Sequence, residues 1–172
     1  METKIPISKT ELDQQRREYY KSKTELFINI NDKISKICID LDNHEPHLID
    51  TFNVDDLYLL INMITHILYE KRIYFDLTVK YSNYFKLFSK KCTIYLTIKD
   101  QKQTRHDIYK EINNLPNDVG GFVVTRVRIY DDYIDVKSAS CNYRIALESL
   151  GYHITFAYNY KYSNYRLQIT LN

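Results

Sequence analysis

Four side chains of metal-binding type fall within eight residues, as Asp40-x-Asp42-x-His44-x-x-His47. Carboxylate and imidazole at that density suit a divalent ion. Structural metal sites, however, usually gather ligands from separated elements, and Pro46 between acidic neighbours fits a solvated turn. The turn is the preferred reading, and no metal or cofactor is expected.

A second constellation imitates a Mg²⁺-dependent nuclease, in which an acid at a strand start and an acid-x-Lys on the neighbouring strand hold the cation that activates water. Asp118, then Asp135-Val136-Lys137, with Glu111 on the preceding helix, follow that order. The pattern is cheap, because Asp100-Gln101-Lys102 matches it too. The competing reading of Asp135 is a cross-strand ion pair with Arg128.

Nucleophilic chemistry has less support. Neither Cys92 nor Cys141 has an adjacent motif, and the only glycines are Gly120, Gly121 and Gly151, so no phosphate-cradling loop or G-x-S-x-G elbow exists. Three cysteines, Cys38, Cys92 and Cys141, form neither a disulfide framework nor a C-x-x-C pair. His66, His106 and His153 read as ordinary residues of helices and a strand. The expectation is a protein that is not an enzyme.

The positive signal is aromatic residues interleaved with basic ones. Lys80, Tyr81, Tyr84 and Lys86, then Arg126 and Arg128, then Lys161, Tyr162, Tyr165 and Arg166 form a candidate interaction surface. Exposed Tyr stacks on bases while Lys and Arg meet phosphates. Tyr and Arg are equally the anchors of protein interfaces. Many neighbouring tyrosines, including Tyr158 and Tyr160, share a strand face with Ile154 and Phe156 and belong to a core.

These residues need elements to place them. Ser8-Lys9-Thr10-Glu11 is a capping box opening a charged helix from about Lys9 to Lys23. Its apolar positions Leu12, Tyr19 and Leu26 recur at a heptad and make a narrow stripe, which fits docking against a partner. From Leu26 the periodicity is ambiguous; the expectation is helix to about Lys33, then strand from Lys36 to Leu41. A short strand follows at His47 to Thr51. Asn53 then caps a helix from Val54 to Lys71 whose buried face is Leu57, Leu60, Ile61, Ile64, Ile67 and Leu68.

Ile73, Phe75, Leu77 and Val79 alternate with polar residues as a strand, with its partner at Cys92 to Ile98. Thr104 caps a helix from Arg105 to Asn114. A strand from Phe122 to Tyr130 turns back at Asp131-Asp132 onto Tyr133 to Lys137. A helix follows, ending at Leu150-Gly151, and then a hairpin of Tyr152 to Tyr160 with Tyr165 to Leu171.

The pentapeptide Lys-Tyr-Ser-Asn-Tyr occurs at Lys80 to Tyr84 and again at Lys161 to Tyr165, an offset of 161 − 80 = 81 in 172 residues. Its context suggests an α+β fold of two related β-β-α-β-β halves, about 36–99 and 121–172. Residues 1–25 form the charged N-terminal helix, and 26–172 form one domain. The competing explanation is biased composition reusing one turn sequence.

Composition sets the outer bounds. An apolar share of 44% with 27% charged residues is that of a globular chain, and no apolar run reaches the roughly 20 residues that cross a bilayer. Met1 to Ser8 lacks a secretory pattern, so the cytoplasm is the expected compartment, or a virion if the source is viral. Seventeen Tyr with abundant Ile, Asn and Lys match AT-rich codons, as in many viruses and phages. The leading expectation is a non-enzymatic interaction or assembly protein that binds another protein or itself. The alternatives are a nucleic-acid-binding module and a Mg²⁺ nuclease.

Overall fold

A computed structural model describes residues 8–82, 91–114, 123–130, 133–159 and 165–171, the strand segments 123–130, 155–159 and 165–171 by backbone path and register. The fold is α+β. The elements in order are α1 (Lys9–Ile37), β1 (His47–Asn53), a single 3-10 turn (Val54–Asp56), α2 (Leu57–Glu70), β2 (Phe75–Tyr81), β3 (Lys91–Ile98), α3 (Gln101–Asn113), β4 (Val123–Tyr130), α4 (Tyr133–Glu148), β5 (Ile154–Asn159) and β6 (Tyr165–Leu171). Two antiparallel three-stranded sheets result, ordered β1-β3-β2 and β4-β6-β5.

The expected β-β-α-β-β duplication is not supported, because each sheet has three strands. Both stretches that were to supply the extra strand belong elsewhere. Residues 36–41 hold the last turn of α1 and a turn beyond it, since Ile30, Ile34 and Ile37 continue the helical spacing and bury the first two. Residues 133–137 open α4, where Ile134 and Val136 are both buried because the helix is covered on several sides. Arg128 and Asp135 are therefore not cross-strand partners, as Asp135 lies in the first turn of α4.

What the two sheets do share is element order. Each run is strand, helix, strand, strand, with the last strand in the middle of its sheet. Each first strand is bulged against that middle strand, between Leu48 and Asp50 in β1 and between Arg126 and Arg128 in β4. Each helix leaves through the same left-handed turn, in which a six-residue and, within it, a four-residue hydrogen bond close the end. After α2 these are Ile73 N–H to Leu68 O and Arg72 N–H to Tyr69 O; after α4 they are Tyr152 N–H to Leu147 O and Gly151 N–H to Glu148 O. The pentapeptide does not follow this match. Lys80 and Tyr81 lie in β2, whereas β5 ends at Asn159, before Lys161.

One core joins the layers. The predicted face of α2 (Leu57, Leu60, Ile61, Ile64, Ile67 and Leu68) is buried, as are Phe75 and Leu77 of β2 and Cys92, Ile94, Leu96 and Ile98 of β3. Alternation with period two places those strand residues on one face. From α4, Ile145, Ala146 and Leu147 enter the same cluster, as does Ile154 at the start of β5. Two helix starts differ from expectation. The cap of α3 is Asp100, whose carboxylate accepts from Gln103 N–H at 2.7 Å, while Thr104 is buried a turn inside. Asn53 makes no side-chain cap; a 3-10 turn intervenes before α2 begins.

Candidate interaction surface

The N-terminal helix is the element whose two ends differ most. Ser8 and Glu11 close a reciprocal cap: Ser8 N–H donates to the Glu11 carboxylate at 2.9 Å, and Glu11 N–H to the Ser8 hydroxyl at 3.3 Å. The Ser8 bonds hold the Glu11 carboxyl below its ordinary range. The helix then runs unbroken through residue 25 and on to Ile37, its 29 residues spanning about 44 Å at 1.5 Å per residue.

Its inner end is docked. Ile30 and Ile34 enter the core, Leu26 and Phe27 pack against it, and Lys33 pairs with Asp50 while donating to Ile49 O at 3.1 Å. Lys23 reaches Asp56 at 3.4 Å, near the outer limit of this contact. Beyond Lys23 everything from Lys9 to Ser22 is exposed except Asp13, which is half-buried. Tyr19 is 56% and Tyr20 68% exposed, their rings meeting edge to face at 5.7 Å. The heptad stripe therefore continues from Leu26, which the core covers, to Tyr19 and Leu12, which no described element covers.

The Tyr/Lys/Arg residues singled out from the sequence are distributed over both sheets. Lys80 and Tyr81 are exposed at the end of β2, with the Lys80 ammonium 4.9 Å from the centre of the Tyr95 ring on β3. Tyr84, Lys86, Lys161 and Tyr162 lie outside the described residues. Arg126 and Arg128 are in β4, where the bulge puts Arg126 in register with Gln168 and Arg128 with the adjacent Leu167. Tyr165 and Arg166 begin β6, Tyr165 opposite Tyr130 and Arg166 between Ile129 and Asn159. Tyr74 precedes β2 and is buried.

Of the four ligand-type side chains of residues 40–47, Asp40 and His44 are hydrogen-bonded, whereas the buried His47 Nε2 at the start of β1 has no hydrogen-bond partner among the described residues. Asp40 accepts from Asp42 N–H at 3.1 Å, Asn43 accepts from Glu45 N–H at 3.1 Å, and the His44 ring donates to Ile98 O at 2.9 Å. Among the described residues no three His, Cys, Asp or Glu side chains are placed to hold a metal ion. The acid-x-Lys of residues 135–137 sits on a helix, and Asp118 lies outside the described residues. Glu111 and Asp135 do share a cavity of about 480 Å³ with Asp76 and Asp107. These carboxylates have partners already, among them Lys99 on Asp76, Gln103 on Asp107 and the Tyr143 hydroxyl on Glu111. Burial pushes the Cys141 thiol up to about 12, and raises Cys38 and Cys92 as well, so at neutral pH these are thiols and weak nucleophiles.

Two features had no sequence signal. Paired carboxamides clamp the start of β2: Gln101 and the Tyr74 backbone exchange bonds of 2.9 and 3.0 Å, and Asn142 and the Phe75 backbone exchange bonds of 3.1 and 2.7 Å. Each clamp satisfies a donor and an acceptor that burial would otherwise strand. At the seam of α2 with α4, Glu148 accepts from the Tyr69 hydroxyl at 2.6 Å and from Arg72 at 2.7 Å, with Arg144 at 3.3 Å. Both guanidiniums lie over the Tyr69 ring. Burial opposes ionisation of Glu148, but the Arg72 and Tyr69 bonds outweigh it and hold its carboxyl below the ordinary value.

Among the described residues no helix is long and apolar enough to cross a membrane. No protein-family model matches the chain, and neither a curated protein nor a solved structure does.

Proposed function

We propose that this chain is a non-enzymatic interaction or assembly protein, of the kind AT-rich viral and phage genomes encode, which engages another protein or a second copy through the outer half of α1. The observation that carries this reading is the uncovered continuation of a core-forming stripe. Leu12 and Tyr19 stand on the same helical face as Leu26, Ile30 and Ile34, yet past the point where the body ends. An isolated helix of that length is marginal in water, so its order gains from an apolar face being covered. Tyr is a low-entropy anchor for such contacts.

A second reading, binding of single-stranded nucleic acid, is favoured by the exposed Lys80 and Tyr81 at the end of β2 and by the arginines in register positions of β4 and β6. It predicts affinity that falls steeply with salt. Native mass measurement together with affinity capture separates the two. The interaction reading expects a protein complex or oligomer that the double variant Leu12→Glu/Tyr19→Glu loses. A strict monomer that captures no protein, yet is retained on a nucleic-acid column at low salt, would replace it with the second reading.

A further inference from the structure

A hollow at the exit of α2 indicates the chemistry of a partner. The turn that ends α2 holds Arg72 at φ 57°, whereas the matching turn after α4 uses Gly151 at φ 86°. A left-handed conformation is strained for a residue with a Cβ, and glycine avoids that strain. An arginine is kept where the twin position uses glycine, and strain of this kind collects where a side chain has a task.

Beside that turn opens a cavity of about 560 Å³. Ile73, Tyr74 and Ile145 floor it, and Lys71 and Arg72 from the exit of α2 and Arg105 from the first turns of α3 stand around it. One carboxylate, Glu148, also borders the hollow, and it is already bound by Arg72 and Tyr69. Lys71 and Arg105 are exposed and, among the described residues, have no ion-pair partner. Cations left uncompensated around an apolar floor create a local positive potential that an acidic ligand would neutralise.

We propose that this hollow receives an acidic segment of a protein partner. An apolar side chain of the segment lies against Ile73 and Ile145, and flanking carboxylates meet Lys71 and Arg105. The proposal rests on the protein-interaction reading and names the partner's chemistry. A nucleic-acid strand fits less well. Base stacking needs an open ring face, and Tyr74, the aromatic residue here, is only 4% exposed. The site is also a discrete hollow and not a track along which a phosphate backbone runs.

Fluorescence anisotropy of the full chain with a fluorescein-labelled Asp-Glu-Leu-Phe-Glu-Asp peptide tests it. Saturable binding is expected, weakening with salt and falling by about tenfold or more in Lys71→Gln/Arg105→Gln. Both residues are exposed and unpaired, so that variant should keep the thermal midpoint of the parent chain. A Lys-Lys-Leu-Phe-Lys-Lys peptide should not bind. The proposal is overturned if the acidic peptide does not bind saturably, if the double variant binds it equally well, or if a thymidine dodecanucleotide displaces it at lower concentration than unlabelled peptide does. The Leu12→Glu/Tyr19→Glu variant keeps the two ideas apart. It should bind the peptide unchanged, so failure of the peptide alongside an intact α1-dependent complex removes the hollow and leaves the interaction reading standing.

Discussion

The two halves of α1 share one helix and one stripe, yet only one half is held. Inward of Lys23 the stripe is Leu26, Ile30 and Ile34, and Ile34 is fully buried. Outward it is Tyr19 and Leu12, exposed to solvent. The contrast separates two uses of amphipathicity. Burial against the body converts the inner stripe into stability, while the outer stripe remains available for a contact the body does not supply.

The largest effect should come from the inner half. Ile34→Ala removes a fully buried branched side chain and leaves a cavity, at a cost of about 3 kcal/mol. For a chain of this size that lowers the thermal midpoint by roughly 10 °C, checked by calorimetry. An unchanged midpoint would mean that α1 is not part of the core.

Removal of the cap should act more locally. Ser8→Ala deletes the hydroxyl that accepts from Glu11 N–H and should cost about 1 kcal/mol of local helix stability. Because the outer half is not coupled to the core, faster hydrogen exchange of the amides of residues 11–18 should accompany an unchanged global midpoint. If the midpoint falls by several degrees instead, the two halves are coupled and the contrast fails.

A smaller effect follows pH. The Lys33 hydrogen bond, with Thr51 N–H behind it, holds the Asp50 carboxyl below its ordinary value. A lowered native value means that the contribution is intact above the ordinary carboxylate range near pH 4 and is lost as pH falls through the native value. The pair is about half exposed, so its worth is at most about 1 kcal/mol. Lys33→Met should flatten that part of the acid limb in a pH series of denaturant midpoints. The smallest stability effect is expected for Leu12→Glu/Tyr19→Glu, whose surfaces are already in water.

Much of the scaffold was legible in the sequence. The face of α2, the alternation of β2 and β3 and the glycine exit of α4 each follow from a local period or a conformational demand. The misread stretches were those where two periods coincide. Ile37, Ile39 and Leu41 alternate like a strand, but the helix already committed by Ile30 and Ile34 takes Ile37, and Ile39 is left exposed. Ile134 and Val136 alternate too, and their burial on different sides of one helix is a tertiary fact.

The cap of α3 was placed four residues late because both Asp100 and Thr104 precede the apolar spacing, and Asp100 is the one that bonds Gln103. For the surfaces, the heptad stripe was visible, whereas the carboxamide clamps and the cationic hollow were not. Asn142 meets a backbone 67 residues away in sequence, and Lys71 and Arg105 border one hollow from elements that no local pattern relates. The bulge in β4 was equally hidden, so Arg126 and Arg128, which simple alternation puts on one face, pair with adjacent residues of β6.

The most direct test of the central claim is a paired native-mass and affinity-capture measurement on the parent chain and on Leu12→Glu/Tyr19→Glu. The outer half of α1 as a docking element predicts a complex with a second copy or with a protein partner in the parent, absent from the variant, at equal thermal midpoints. The same complex in both chains, or a lone monomer without a protein partner in both, would contradict it.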